Sequence, residues 1–243
     1  MTAAPEFTDA VLKQPDAIIH GIQLGDAPRI LLLHAGAEHA GVFRPVMRRL
    51  HESGFSSIAF DQRGHGRSTN TARGPLTQYA DDARAMIASL DRPLVAGCSL
   101  GGLALMMALA EMETRAHVTG LALLDIIPDP SPERARHYLA TAIGADANNP
   151  VIAHILPFAL QLRDHCMQRD MPVTLIRAGR DTPLDDAGEA RFLELIPHAE
   201  CLTIDEASHL IAQTAPEPLA AALTRFAEQV LPDARWRPGC AIP

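Results

Sequence analysis

The chain has 243 residues, 47% of them hydrophobic and 21% charged, with a formal net charge of -8. That length and apolar share suit one domain with a sizeable buried core and argue against disorder. The basic residues are scattered and the pI is near 5.7, which excludes a nucleic-acid surface, and apolar runs such as 103–110 fall short of the ~20 residues a bilayer span needs.

The N-terminus has no basic segment followed by an apolar one, so no secretory signal is expected. Cys98, Cys166, Cys201 and Cys240 match neither a disulfide framework nor zinc-site spacing. Reduced thiols in a cytoplasmic protein are therefore expected, with Cys98 as a small packing residue.

Residues 17–24 read as an early strand and 29–33 as a compact aliphatic one. Phe43, Val46, Met47 and Leu50 recur at helical spacing, and Gly54 closes that helix. Residues 56–60 form the next strand, ending in a Gly-rich turn. Tyr79, Ala83, Met86, Ile87 and Leu90 mark one apolar face of a helix. A short strand over 93–97 leads into a strongly apolar helix over 100–113. Residues 118–127 read as a strand buried on both faces, as parallel strands tend to be, and 173–178 as another. A helix over 190–196, a strand over 200–204 and an amphipathic helix with Leu219, Ala222, Leu223, Phe226 and Val230 complete the pattern. The tail over 232–243 carries no clear pattern.

This alternation predicts an α/β fold: a mostly parallel central sheet, helices on both faces and right-handed crossovers. Ligands in such sheets sit at the carboxyl ends of the strands. One interval breaks the rhythm. Ser131-Pro132-Glu133 has an N-cap serine, an N1 proline and an acidic first turn. Asn149-Pro150 repeats the start signal before Val151, Ile152, Ile155 and Leu156. The interval 128–171 is therefore expected to be a short helical lid inserted within a single domain of 1–243.

Gly97-Cys98-Ser99-Leu100-Gly101 matches G-x-S-x-G, after an aliphatic strand and at the start of an apolar helix. A reactive serine must project from a strained strand-to-helix turn, and small neighbours let strand and helix approach. Ser99 is the candidate nucleophile. It needs a base, and His209, in Asp205-Glu206-Ala207-Ser208-His209 after the last strand, lies at the carboxyl edge. His117, His137, His154, His165 and His198 fall on predicted helices, on the lid or before strands, and read as surface or packing residues. The acid that orients the imidazole is expected to be Asp181, just past the strand over 173–178, rather than Asp185 or Asp186 farther along. Two backbone amides are expected to form the oxyanion hole: Leu100, after the nucleophile, and Gly36, in the loop His34-Ala35-Gly36-Ala37. His34 reads as a support for that loop. No carboxylate or cysteine pattern accompanies His34 and His39, so no metal site is expected.

These residues together resemble the α/β-hydrolase superfamily, from about His20 to Val230. Asp61-Gln62-Arg63-Gly64-His65-Gly66-Arg67-Ser68 strengthens the likeness, because it is similar to the D-x-R-G-x-G-x-S turn of the esterase and lactonase branch. It reads as structural, its glycines allowing unusual dihedrals. Some related enzymes carry the acid at the position of Asp125, which is the alternative to Asp181. The oxyanion loop of the family often has His-Gly where this chain has His34-Ala35. Dehalogenases and epoxide hydrolases of the fold have Asp at the position of Ser99, which argues against both activities.

The resemblance implies hydrolysis of a small-molecule ester or lactone through an acyl-enzyme, without a cofactor, nucleic acid or membrane, and leaves the oligomeric state open. The same triad can cleave C–C bonds, hydrolyse thioesters or support perhydrolysis, and similar folds host cofactor-free dioxygenases and ligand-binding receptors. The lid offers Tyr138 and Phe158 as its aromatics. An aliphatic substrate pocket is thus expected, lined by Ile152, Ile155 and Leu156, with His34 beside it.

Overall fold

Along the central strands, successive side chains enter two different helical layers, which is why these segments read as continuous apolar runs. The computed structural model describes residues 5–68, 74–144, 158, 161–163 and 171–234. Its strands are β1 (Thr8–Lys13), β2 (Ile18–Leu24), β3 (Ile30–Leu33), β4 (Ser57–Phe60), β5 (Leu94–Cys98), β6 (Gly120–Leu124), β7 (Val173–Ala178) and β8 (Glu200–Ile204). They form one eight-stranded sheet in the order β1-β2-β4-β3-β5-β6-β7-β8. β1 and β2 run antiparallel to their neighbours, and every pairing from β4 to β8 is parallel.

Leu31, Leu33, Val95, Leu121, Leu123 and Leu175 pack against α2 (Leu76–Ala88), α3 (Leu100–Ala108) and Phe192 of α6 (Asp186–Leu195). Their neighbours Ile30, Leu32, Ala96, Ala122, Leu124 and Ile176 face the other way. They meet Val46, Met47 and Leu50 of α1 (Arg44–Glu52) and Leu219, Leu223 and Phe226 of α8 (Pro216–Val230). The expected doubly covered α/β sheet, an α/β-hydrolase fold, is what the chain adopts.

Some elements depart from expectation. The helix over 100–113 is two, because α3 tightens at its end: Ala110 N–H donates to Met107 O at 3.2 Å and Glu111 N–H to Ala108 O at 3.4 Å. Glu111 then turns extended and starts α4 (Met112–Ala116). β6 covers only Gly120–Leu124 of the expected 118–127, because Asp125 leaves the strand with φ at 53°. β1 was not expected: its mostly exposed edge has little apolar signal. Between β6 and β7, α5 (Pro132–Ile143) starts where the sequence signals it, with Ser131 Oγ accepting from Arg134 N–H at 3.3 Å. The second start signal at Asn149-Pro150 lies outside the described residues. Among the described residues no helix is long and apolar enough to cross a membrane.

Candidate active site

Ser99 sits between β5 and α3 with φ 47° and ψ -112°, a conformation that L-residues adopt only under constraint. The constraint is close approach: a Cβ on Gly97 would lie 2.5 Å from the Gly101 carbonyl carbon, and one on Gly101 would lie 2.5 Å from Leu33 O. Both motif glycines are therefore required by packing. Ser99 is partly exposed, while residues on either side are buried, so the bend lifts it out of the sheet.

In the β5–β6 register Cys98 is level with Leu124, and Ser99 N–H donates to Leu124 O at 3.4 Å. This pairing sets Asp125 beside Ser99 at the carboxyl edge. Asp125 is 1% exposed, and its carboxylate is surrounded by donors. Oδ1 accepts from Ala178 N–H at 2.9 Å. Oδ2 accepts from Thr182 Oγ1 at 2.5 Å and from His209 Nδ1 at 2.7 Å.

The carboxylate that meets His209 is thus Asp125, and the expectation of Asp181 is corrected. Asp181, at φ 45°, meets the histidine loop through its backbone: its carbonyl accepts from His209 N–H at 3.2 Å. The physical reason lies in the sheet. β6 is the strand next to β5, whereas β7 is one strand farther away.

His209 is 5% exposed. Its carbonyl accepts from Cys98 Sγ at 3.4 Å, which ties the histidine loop to the elbow. Burial raises the Cys98 thiol well above its ordinary value, so it stays protonated and packs. The ring of Tyr138, from α5, meets the His209 ring edge-on at 4.8 Å. Burial pushes the Tyr138 phenol up to about 12, so it remains a proton donor at neutral pH.

In the loop after β3, the amide of Ala35 is taken by Glu38 Oε2 at 2.9 Å. Among the described residues no protein acceptor engages the amides of Gly36 or Leu100. The alanine at position 35 is accommodated because the left-handed residue of this loop is Ala37, at φ 66°. His34 is fully buried. Its Nε2 accepts from Gln62 N–H at 3.0 Å, so Nδ1 carries the proton and donates to Ala35 O at 2.7 Å. His34 supports the loop, as read from the sequence, and its expected place beside the pocket is corrected, since neither ring nitrogen is free for a ligand. Burial lowers its pKa to about 4.

The Asp61–Ser68 turn is structural. Asp61 accepts from Ala40 N–H at 2.7 Å and from Arg67 N–H at 2.8 Å. Arg63 makes a buried two-pronged pair with Asp82 at 2.7 and 2.8 Å. The turn reaches the loop after β3 through Gln62, whose Nε2 donates to His34 O at 2.6 Å.

A cavity of about 830 Å³ opens between α5 and the loop after β7, a volume typical of small-molecule sites. Glu133, Arg134, His137, Tyr138, Asp181 and Thr182 line it. Tyr138 and Thr182 also touch His209 and Asp125, so the cavity adjoins the candidate site. This wall mixes charged and polar side chains with apolar ones such as Ala142 and Pro183, unlike the purely aliphatic lining expected; Ile152, Ile155 and Leu156 lie outside the described residues. His137 had read as a surface or packing residue. Tyr138, Thr182 and Glu38 carry no motif, and only the proximity of Glu38 to the oxyanion loop could have flagged it. Among the described residues no cluster of His, Cys, Asp and Glu is arranged for a metal ion.

Residues 27–125 match a protein family described as serine aminopeptidase, S33. A 2-(acetamidomethylene)succinate hydrolase of Mesorhizobium japonicum is 40% identical over 80 residues, which span 32% of this chain and 28% of that protein. A pimeloyl-(acyl-carrier protein) methyl ester esterase of Xanthomonas oryzae pv. oryzae is 27% identical, over 85% of this chain and 98% of its own length. The crystal structure of an E-2-(acetamidomethylene)succinate hydrolase has a TM-score of 0.74 at 23% identity, over 92% of this chain and 100% of that one.

Proposed function

For a chain that belongs to the α/β-hydrolase superfamily, we propose a serine hydrolase that cleaves a small carboxylic ester or lactone. The observation that carries this reading is the 2.7 Å contact between His209 Nδ1 and Asp125, held at the edge of the strained Ser99 elbow.

In this mechanism Ser99 Oγ attacks the acyl carbon, and His209 Nε2 takes its proton and returns it to the leaving alcohol. Asp125 holds Nδ1–H and stabilises the imidazolium. The amides of Leu100 and Gly36 bond the oxyanion. Water, deprotonated by His209, then attacks the acyl-enzyme and releases the acid. Every step balances without a cofactor. The lid reading of 128–171 within a single domain draws support from α5, which forms one wall of the cavity. The mixed wall of the cavity, with Arg134, His137 and Thr182 beside Ala142 and Pro183, suits a substrate that carries a hydrogen-bonding group on an apolar body, and the names of the relatives, a methyl ester esterase and a succinate-derivative hydrolase, accord with that class.

The test is hydrolysis of p-nitrophenyl butyrate by the wild type and Ser99→Ala. Turnover should fall by at least about 10³-fold, and a fluorophosphonate should label the wild type alone. Full turnover in Ser99→Ala would refute the reading. A wild type that neither turns over esters nor takes the label would instead favour a ligand-binding role.

A further inference from the structure

We propose that Glu38 is a positioning residue that locks the oxyanion loop to the histidine loop, an inference that rests on the serine-hydrolase reading above. Glu38 is 6% exposed. Its Oε2 accepts from Ala35 N–H at 2.9 Å, while its own N–H donates to Ala35 O at 3.2 Å. Each residue thus closes the turn on the other, and Ala37 at φ 66° makes the reversal between them. With Ala35 N–H turned inward, Gly36 N–H is left as the next donor of the loop.

The second carboxylate oxygen reaches elsewhere. Oε1 accepts from Gln213 Nε2 at 2.6 Å, across 175 residues of sequence. Gln213 lies on α7 (Ile211–Thr214), the short helix that begins two residues after His209. One carboxylate therefore ties the oxyanion loop to the helix that continues the histidine loop, the two segments that must hold the oxyanion donor and the base in register. Burial pushes the Glu38 carboxyl up, and the bonds to Gln213 and Ala35 oppose that shift. An apolar side chain would fill the space without the desolvation cost of a buried acid. What it could not do is accept from both loops at once.

Glu38→Ala, Glu38→Gln and Gln213→Ala test this, with Ser99→Ala as the control. The readouts are kcat and KM for p-nitrophenyl butyrate and Ki for butaneboronic acid, whose tetrahedral serine adduct needs the same amides. Glu38→Ala should lower kcat about 30- to 100-fold with KM within about 3-fold, and weaken the boronic acid in proportion. Glu38→Gln keeps an acceptor for Ala35 and can pair with a flipped Gln213 amide, so it should recover to within about 5-fold of wild type. Gln213→Ala removes only the tie and should lose about 3- to 10-fold in kcat.

Wild-type kcat in Glu38→Ala, equal impairment of Glu38→Ala and Glu38→Gln, or a fall in kcat with unchanged boronic-acid affinity would overturn the proposal. If Glu38→Ala does not fold, Gln213→Ala decides alone: unchanged kcat and Ki overturn it. An inactive Ser99→Ala alongside wild-type Glu38→Ala and Gln213→Ala sinks the role of Glu38 and leaves the hydrolase standing. An active Ser99→Ala sinks both.

Discussion

Asp125 accepts hydrogen bonds from Ala178 N–H, Thr182 Oγ1 and His209 Nδ1, so both of its oxygens are committed and its orientation is fixed. An asparagine there must turn its NH₂ toward at least one of these donors. Asp125→Asn should therefore set His209 in the wrong tautomer and lower kcat by about 10³- to 10⁴-fold, the scale seen when a triad acid is amidated. Asp181 supports the histidine loop through its carbonyl, which Asp181→Asn retains. That variant should stay within about 5-fold of wild type, by the same reasoning that backbone donors and acceptors survive side-chain change. Parallel kcat measurements on the two variants check this assignment, and a larger loss in Asp181→Asn would reverse it.

At the level of elements, the elbow depends on how closely α3 can approach β3 and β5. A Cβ on Gly101 would lie 2.5 Å from Leu33 O and 2.7 Å from Leu33 C, both backbone atoms of a buried strand. Neither can swing aside as a long side chain could. Gly101→Ala should therefore lower stability by about 3 kcal/mol, at the upper end of overpacking costs. Urea unfolding reads this out, and a loss below about 1 kcal/mol would show that helix and strand separate more readily than their packing implies. The same contact explains why this element was readable beforehand. Two glycines around a serine, between an aliphatic strand and an apolar helix, describe a local steric problem with one solution. The short helix after His209 had no such signature, because its place is set by contacts such as Gln213 with Glu38.

For the molecule as a whole, His34 links the site to pH-dependent stability. Its pKa in the folded chain is about 4, below the ~6.5 of an unfolded chain, with burial as the cause. Between these values the unfolded chain binds a proton that the folded chain refuses. Stability is therefore intact above about pH 6.5, falls as pH drops toward 4, and gains no further penalty from this residue below that. The loss is about 3 kcal/mol. Urea unfolding at pH 7 and pH 4.5 should show it in the wild type, and His34→Gln should show a smaller difference. An identical difference in both proteins would remove His34 as its source.

Several features were decided by the sequence alone: the doubly covered parallel sheet, the elbow around Ser99, and the arrival of His209 on a loop after the last strand. Each follows from local rules, since apolar runs mark buried strands, small residues mark close approach, and chain order places a loop at a strand's carboxyl end. Tertiary structure alone decided which carboxylate meets His209, that Glu38 joins two loops, and that Tyr138 lies against the imidazole. Asp125 and Asp181 have the same side chain, each follows a strand of the same sheet, and each adopts a positive φ. Only the sheet order, with β6 directly against β5, brings one of them to 2.7 Å from the ring. Hydrogen bonding reads distance and direction across strands, and spacing along the chain encodes neither.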